Sequence, residues 1–243
     1  MSNTSLEIAY ACIHDHIANT QHPVIFELGM CDGYHTNMLL SWCTSAPCYH
    51  GFEPDPRNVA KIATIGLPQR MNFHPDAVGH VTGKMPFFLS TKEPNGCVGQ
   101  SSISEFTPVL TASWPWLKHE STIEVQGWRL DDFCKSVGLS QIDFLWMDVQ
   151  GAERLVFDGA REMLARTRLV WTEYDSGTLY KDSSTIDDIL ARFPGWKVLA
   201  DVGGDVLLKN PKPIGFCVSC NRKLSAGDSD TKCVNCGALP LLS

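Results

Sequence analysis

No apolar run in the 243-residue chain approaches the roughly 20 residues that a membrane-crossing helix needs. The N-terminal Met-Ser-Asn-Thr-Ser-Leu-Glu lacks the basic-then-apolar form of a secretory signal, so a cytoplasmic protein is expected. An excess of cations is also missing. Twenty Lys and Arg stand against 27 Asp and Glu, a net charge of −7, which argues mildly against a nucleic-acid partner. Gly (19) and Pro (14) are too few for a collagen-like or linker-like chain, and there is no internal repeat or low-complexity tract. What is present is a globular composition, 44% hydrophobic and 19% charged, which excludes intrinsic disorder. The length fits one large domain, or one domain with a small appendage.

Cysteine, by contrast, is plentiful: ten residues, unevenly placed. Cys217, Cys220, Cys233 and Cys236 fall close together at the C-terminus. Cys12, Cys31, Cys43, Cys48, Cys97 and Cys134 are scattered singly and are expected to be reduced thiols, mostly small buried hydrophobes.

The first 210 residues alternate helical and strand patterns. Leu6, Tyr10, Ile13 and Ile17 recur at helical spacing, and the apolar run 24–28 reads as a buried strand. A turn at Gly29–Gly33 precedes a helix over 35–42. A second strand at 49–53 leads to Asp55-Pro56, an N-cap followed by proline at the first helical position; Val59, Ile62 and Ala63 form that helix's apolar face. Strands are predicted at 71–74, 142–147 and 169–173. A helix is predicted from near Ala152, interrupted at Gly159. Ser184 is expected to cap a helix with the face Ile186, Ile189, Leu190 and Phe193. Segments 196–200 and 206–209, joined at Gly203-Gly204, read as a hairpin. The stretch 79–128 reads as irregular, with one strand at 85–89. The pattern predicts an α/β fold: a mostly parallel twisted sheet with helices on both faces and a closing antiparallel hairpin. Asn210-Pro211-Lys212-Pro213 divides it, as domain 1–210, from a small domain at 211–243.

Ligands of such sheets bind outside the carboxyl ends of the strands. Glu27, Glu53, Asp148 and Glu173 end or border predicted strands there. Glycines in the turn Glu27-Leu28-Gly29-Met30-Cys31-Asp32-Gly33 let backbone approach a ligand, and a carboxylate at Glu53 can accept both hydroxyl protons of a ribose. The same logic serves NAD, and glycine turns also occur where no cofactor binds. The spacing is Gly-x-x-x-Gly, however, with Asp32 inside it, and a carboxylate beside a pyrophosphate would be repelled. S-adenosylmethionine carries no phosphate but a sulfonium and an ammonium, which acidic surroundings suit.

The segments 25–33, 51–58 (with Phe52-Glu53-Pro54-Asp55-Pro56) and 142–153 (with Asp148-Val149-Gln150-Gly151-Ala152-Glu153) resemble FkbM-type S-adenosylmethionine-dependent methyltransferases. The likeness covers about residues 20–175 and weakens toward 210. It implies a Rossmann-like class I methyltransferase fold, with seven strands as the usual number, and O-methylation of a substrate hydroxyl. Two positions depart from the pattern: Glu27 stands where Asp is usual, and Trp146 where Lys is usual. By resemblance, Gly29 and Gly33 shape the methionine-side turn and Glu53 holds the ribose. Asp76 faces the adenine amino group, and Asp148 sits beside the ammonium or the transferring methyl. Glu27 and Asp32 complete the acidic surroundings of the cofactor.

An alcohol attacks well only as it loses its proton, so a general base is required. Asp148, then Glu153 and Glu173, are the candidates; Glu153 could equally be a first-turn acid placed by the helix dipole. His35 is a further candidate, and a divalent ion lowering the hydroxyl pKa is left open. The 79–128 stretch should wall the substrate, with polar contacts from Ser101-Ser102-Ile103. Trp114 and Trp116 either stack on a sugar or macrocycle or pack the core. The expected acceptor is a sugar-like or natural-product small molecule.

Cys217-x-x-Cys220 and Cys233-x-x-Cys236, twelve residues apart, form a four-thiolate zinc pattern resembling a zinc ribbon. Four ligands close the coordination sphere, so the zinc would be structural, and it would supply folding energy that so short a segment lacks. Lys212, Arg222, Lys223 and Lys232 outnumber Asp228 and Asp230 by two, which a tetrathiolate zinc cancels. The ribbon is therefore expected to dock a protein or self-associate. Two rivals stand beside the small-molecule enzyme: a non-catalytic cofactor fold presenting the ribbon to a partner, and a nucleic-acid methyltransferase.

Overall fold

The computed structural model describes residues 3–66, 68, 70–93, 98–211 and 213–214. In chain order the elements are α1 (Asn3–Ala18), β1 (Val24–Leu28), α2 (Tyr34–Trp42), β2 (Cys48–Phe52), α3 (Pro56–Ile65), β3 (Met71–His74), β4 (Ala77–Gly79), β5 (Gly83–Ser90) and α4 (Pro108–Ser113). They continue with β6 (His119–Arg129), α5 (Leu130–Ser136), β7 (Ile142–Met147), α6 (Glu153–Gly159), α7 (Arg161–Leu164), β8 (Thr167–Glu173), α8 (Ile186–Arg192), β9 (Lys197–Asp201) and β10 (Asp205–Lys209).

Seven strands form one sheet in the order β3-β2-β1-β7-β8-β10-β9. The pairings β3-β2, β2-β1, β1-β7 and β7-β8 are parallel, and β10 runs antiparallel to both β8 and β9. The order reverses direction beside β1, which makes the β1 edge a topological switch point. The central strands are apolar on both sides because helices cover both faces. Ile25, Tyr49, Phe144, Trp146 and Trp171 pack under α1 and α2 with Ala9, Ile13, Ile17 and Leu39. Phe26, Leu28, Leu145, Met147 and Val170 pack on the other face with Phe133, Val156, Phe157 and Ile189.

Several local expectations hold at the level of single atoms. Asp55 caps α3, accepting from the Arg57 amide at 2.9 Å, with Pro56 following at the first helical position. α6 stops at Gly159 and a short α7 follows. Four readings are corrected. Residues 79–128 are not irregular: β4, β5 and β6 make a second sheet in the order β4-β6-β5, with its own core of Ala77, Met85, Phe87, Leu89 and Val125. The cap of α8 is Thr185, in a reciprocal capping box with Asp188, and Ser184 is buried beside it. Leu6 is exposed on α1 and Ala63 on α3. Among the described single cysteines (Cys12, Cys31, Cys43, Cys48 and Cys134), all are thiols outside any disulfide, but only Cys134 is buried. Cys97 and the zinc-pattern residues Cys217, Cys220, Cys233 and Cys236 lie outside the described residues. Among the described residues no helix is long and apolar enough to cross a membrane.

Candidate active site

Parallel register sets the carboxyl edge of the sheet in a row. Leu28 pairs with Phe52 on one side and Met147 on the other, and Met147 pairs with Thr172. The residues just beyond, Gly29, Glu53, Asp148 and Glu173, therefore stand side by side. The loops extend the sheet: Gly29 and Met30 donate to the Phe52 carbonyl, Asp148 to that of Leu28, and Glu53 to that of His74, all at 3.0–3.1 Å. Gly29 has φ +85°, and a Cβ there would lie 1.8 Å from the Asp148 carbonyl oxygen. Only glycine lets the β1 turn pass so close to the β7 turn.

A first cleft of about 560 Å³ opens at this edge. Gly29, Glu53, Asp76 and Asp148 line it, with an apolar wall that includes Phe52, Val78, Phe87 and Ile103. Among its described lining residues there is no Lys, Arg or His. Glu53 is held by the Cys31 amide (2.8 Å) and the Asp55 amide (2.9 Å), and burial still pushes its pKa up to about 7. Asp76 accepts from the Trp128 indole at 3.0 Å. Ser101 lines the cleft and donates to Asp55 at 2.7 Å, while the Arg57 guanidinium binds both. This ties the Ser101 loop to the Phe52–Pro56 string.

A second cleft, about 800 Å³, shares Gln150 with the first. Its wall includes Trp114, Trp116, Glu153, Glu173, Tyr174, Asp175 and Tyr180. Gln150 adopts φ +54°, rare for a side-chain-bearing residue, and is the hub of the junction. Its amide nitrogen donates to Asp148 Oδ1 (2.5 Å) and Glu173 Oε2 (3.2 Å), and its oxygen accepts from the Tyr180 hydroxyl (3.2 Å). The shared Gln150 amide draws the Asp148 and Glu173 carboxyls together. Burial raises the pKa of Asp148, Glu153 and Glu173. Glu173 is raised furthest, because the Asp148 and Glu153 carboxylates add to its desolvation. Two carboxyls gathered on one amide cannot both ionise cheaply, so Glu173 keeps its proton. Asp205, paired in register with Glu173, is pushed up to about 6 by burial, with Asp148 adding to the effect.

The structure thus brings Gly29, Glu53, Asp76 and Asp148 to the first cleft, and Glu153 and Glu173 to the second. Three expected cofactor residues line neither. Glu27 is fully buried behind the turn, where Oε2 accepts from Thr36 and Tyr49, both at 2.5 Å. Its Oε1 has no partner among the described residues, and burial pushes its pKa up to about 7. Asp32 faces outward and pairs with Lys61 at 3.2 Å. Gly33 closes the turn at φ +79° and starts α2. His35 also lines neither cleft; it packs on Trp146, ring centroids 4.3 Å apart. Trp146 itself is buried in the core under α1. Trp114 and Trp116 are wall residues, 42% and 38% exposed, and not core. Among the described residues, no group of three or more His, Cys, Asp or Glu is arranged to hold a metal ion.

Sequence reasoning missed Gln150, Tyr180 and Asp205. Gln150 lies within the Asp148–Glu153 string, where no local pattern marks it. Asp205 begins an antiparallel strand, so its strand start lies on the same edge as the parallel strands' ends, a signal that was available. Tyr180 carries no local signal. Gly151 makes room for it: a Cβ there would fall 2.4 Å from the Tyr180 ring.

The family model described as the methyltransferase FkbM domain matches residues 27–197. The 2-O-methyltransferase NoeI of Sinorhizobium fredii (strain NBRC 101917 / NGR234) is 35% identical over 196 residues, covering 78% of this chain and 80% of that protein. Among solved structures, the methyltransferase FkbM of Methylobacillus flagellatus KT aligns with a TM-score of 0.47 at 13% identity, over 79% of this chain and 44% of that one, less than half its length. The precorrin-6y C5,15-methyltransferase of Geobacter metallireducens GS-15 aligns at 0.38 and 9% identity, over 82% and 83%. By the family match and the 35% identical relative, the chain belongs to the FkbM methyltransferase family.

Proposed function

We propose that this protein transfers a methyl group from S-adenosylmethionine to a hydroxyl of a sugar-like or natural-product small molecule. One observation carries the reading: two clefts of different character meet at Gln150, beside Asp148. The first fits the cofactor. Three carboxylates and no described cation line it, so a pyrophosphate finds no partner there, while a sulfonium and an ammonium find several. In this reading Glu53 accepts from the ribose hydroxyls, Asp76 from the adenine amino group, and the apolar wall covers the base. The name of the Sinorhizobium relative, a 2-O-methyltransferase, supports oxygen as the accepting atom.

Bound there, S-adenosylmethionine supplies a methyl group whose bond to sulfur breaks as a bond to the acceptor oxygen forms. The chain's own residues align the partners, exclude water and take the hydroxyl proton. Alignment alone contributes on the order of 7–11 kcal/mol in well-ordered cases. Asp148 is the base. Gln150 holds its carboxylate in one orientation and is itself anchored on Glu173 and Tyr180. Glu153 accepts from the Val149 amide at 3.3 Å and so braces the turn that carries Asp148.

The test combines calorimetry with a labelled-donor transfer assay against sugars, small alcohols and nucleic acids. S-adenosylmethionine should bind and label should reach a small hydroxyl compound. No cofactor binding by the intact protein would overturn the reading.

For the C-terminal segment we propose a separate small domain, 211–243. In it Cys217, Cys220, Cys233 and Cys236 hold one structural Zn(II), in a reducing cytoplasm, and serve protein docking or self-association. The spacing of the two Cys-x-x-Cys pairs supports this. Metal analysis should find zinc that Cys217→Ser releases; zinc-free protein after growth in zinc would refute it.

A further inference from the structure

The second cleft bears on the charge of the acceptor, an inference that rests on the methyl-transfer reading above. One side of its wall is aromatic. Trp114 and Trp116 leave about two-fifths of their surface open, although indoles are among the costliest groups to expose. They are not loosely hung. Trp114 donates its amide to the Leu110 carbonyl and Leu117 to that of Trp114, both at 2.9 Å, and the Thr91 hydroxyl donates to the Trp116 carbonyl at 2.8 Å. Leu110 and Leu117 are buried with Tyr180 beneath this Trp-Pro-Trp turn. The platform is set before a ligand arrives, so little ordering is needed on binding.

The wall also carries acidic and amide side chains. Glu93, Glu153, Glu173 and Asp175 line it, together with Gln100 and Gln150. Among the described lining residues there is no Lys, Arg or His. Two cations beside the cleft are engaged, Arg154 with Asp182 and Lys181 with Glu105, while Lys92 and Lys118, next in sequence to the lining residues Glu93 and Leu117, are exposed and do not line it. A phosphate or carboxylate seated in this cleft would lose its hydration and gain no cation from the described lining. A ring with an apolar face and a rim of hydroxyls loses nothing comparable, because the aromatic wall covers the face and the carboxyl and amide groups meet the rim.

We propose that the acceptor is an uncharged or amine-bearing polyhydroxylated ring, seated on Trp114 and Trp116, and that sugars carrying phosphate, nucleoside diphosphate or carboxylate are rejected. In reaction order, methylation then follows the step that frees the sugar from its phosphate carrier, a glycosyl transfer or a dephosphorylation. It does not act on the activated sugar.

The test is a paired panel with labelled S-adenosylmethionine: methyl glycosides of neutral and amino sugars against the same sugars as 1-phosphates, nucleoside diphosphate sugars and uronates. Neutral or amino members should be methylated with kcat/KM at least about tenfold above their anionic partners. Trp114→Ala and Trp116→Ala should each raise the acceptor KM up to about tenfold while cofactor Kd stays unchanged. Equal or better transfer to the anionic members would overturn the proposal. So would transfer to no ring acceptor by protein that binds the cofactor normally. Failure to bind the cofactor at all would instead bring down the methyl-transfer reading itself, and this inference with it.

Discussion

The two clefts meet at Gln150, yet they are assembled from different kinds of sequence. The first is built from short strings that directly follow strands: Gly29 after β1, Glu53 after β2, Asp148 after β7. The geometry of these three follows from parallel register, since each is the first residue past a strand end, and the loop carrying Ser101 and Ile103 adds to them. The second cleft draws on Glu93 and Gln100, on the α4 turn at 110–117, and on 173–180, three stretches that share no local pattern. A site laid along one sheet edge is held by the hydrogen bonds of the sheet itself. A site gathered from distant loops is held by particular contacts, such as Tyr180 against Gly151 and the Gln150 amide between two carboxyls.

The largest effect is expected at the junction. Asp148→Asn should lower kcat/KM by roughly 10²–10⁴-fold, the usual contribution of a positioned base, while the unfolding midpoint moves little. Near-normal turnover would show that the shared edge is not where the proton leaves. Glu53→Ala should separate the clefts: cofactor affinity falls roughly 10–100-fold, as for loss of a hydrogen bond to a charged group, and acceptor KM stays put. A change in acceptor KM with unchanged cofactor Kd would invert the assignment of the two clefts.

Glu27, behind both clefts, should be seen in stability. Its folded pKa of about 7 lies above its ordinary 4.5, because burial penalises the charge. The native state therefore holds that proton more tightly than the unfolded state. Its stabilising effect is full below about 4.5, is lost as pH rises to about 7, and changes no further above that. Glu27→Gln should remove this decline, worth on the order of 3 kcal/mol, in urea unfolding at pH 5 and pH 8. Parallel pH dependence in wild type and variant would contradict it. The smallest effect is expected for Asp32→Asn. An exposed pair such as Asp32–Lys61 contributes about 0–1 kcal/mol, and with Asp32 outside the cleft cofactor Kd should shift less than about threefold. A larger shift would place Asp32 at the ligand after all.

Much of the fold was legible because the signals are local. The apolar runs 24–28 and 142–147 are strands with those bounds, and Asp55-Pro56 starts α3. The second sheet went unread although β6 alternates, with Ile123, Val125 and Gly127 each more buried than the residues on either side. Pro, Gly and Ser scattered through the surrounding stretch hid a period-2 pattern. At α8 two hydroxyls competed for the cap. Asp188, three residues after Thr185, decides between them, since only Thr185 can share a reciprocal box with it.

Within the candidate site, local chemistry determined which carboxylates stand at strand ends, because a strand's length and its bounding turn are written in neighbouring residues. It could not determine which way each side chain turns. Asp32 and Glu53 both flank a turn, yet one meets Lys61 at the surface and the other is buried against the amides of Cys31 and Asp55. Only the tertiary structure decided that Glu27 sits in the core, that Trp114 and Trp116 stay open, and that Tyr180 reaches Gln150 from 30 residues away. Side-chain direction and burial depend on what packs against a residue, and those neighbours come from segments far along the chain.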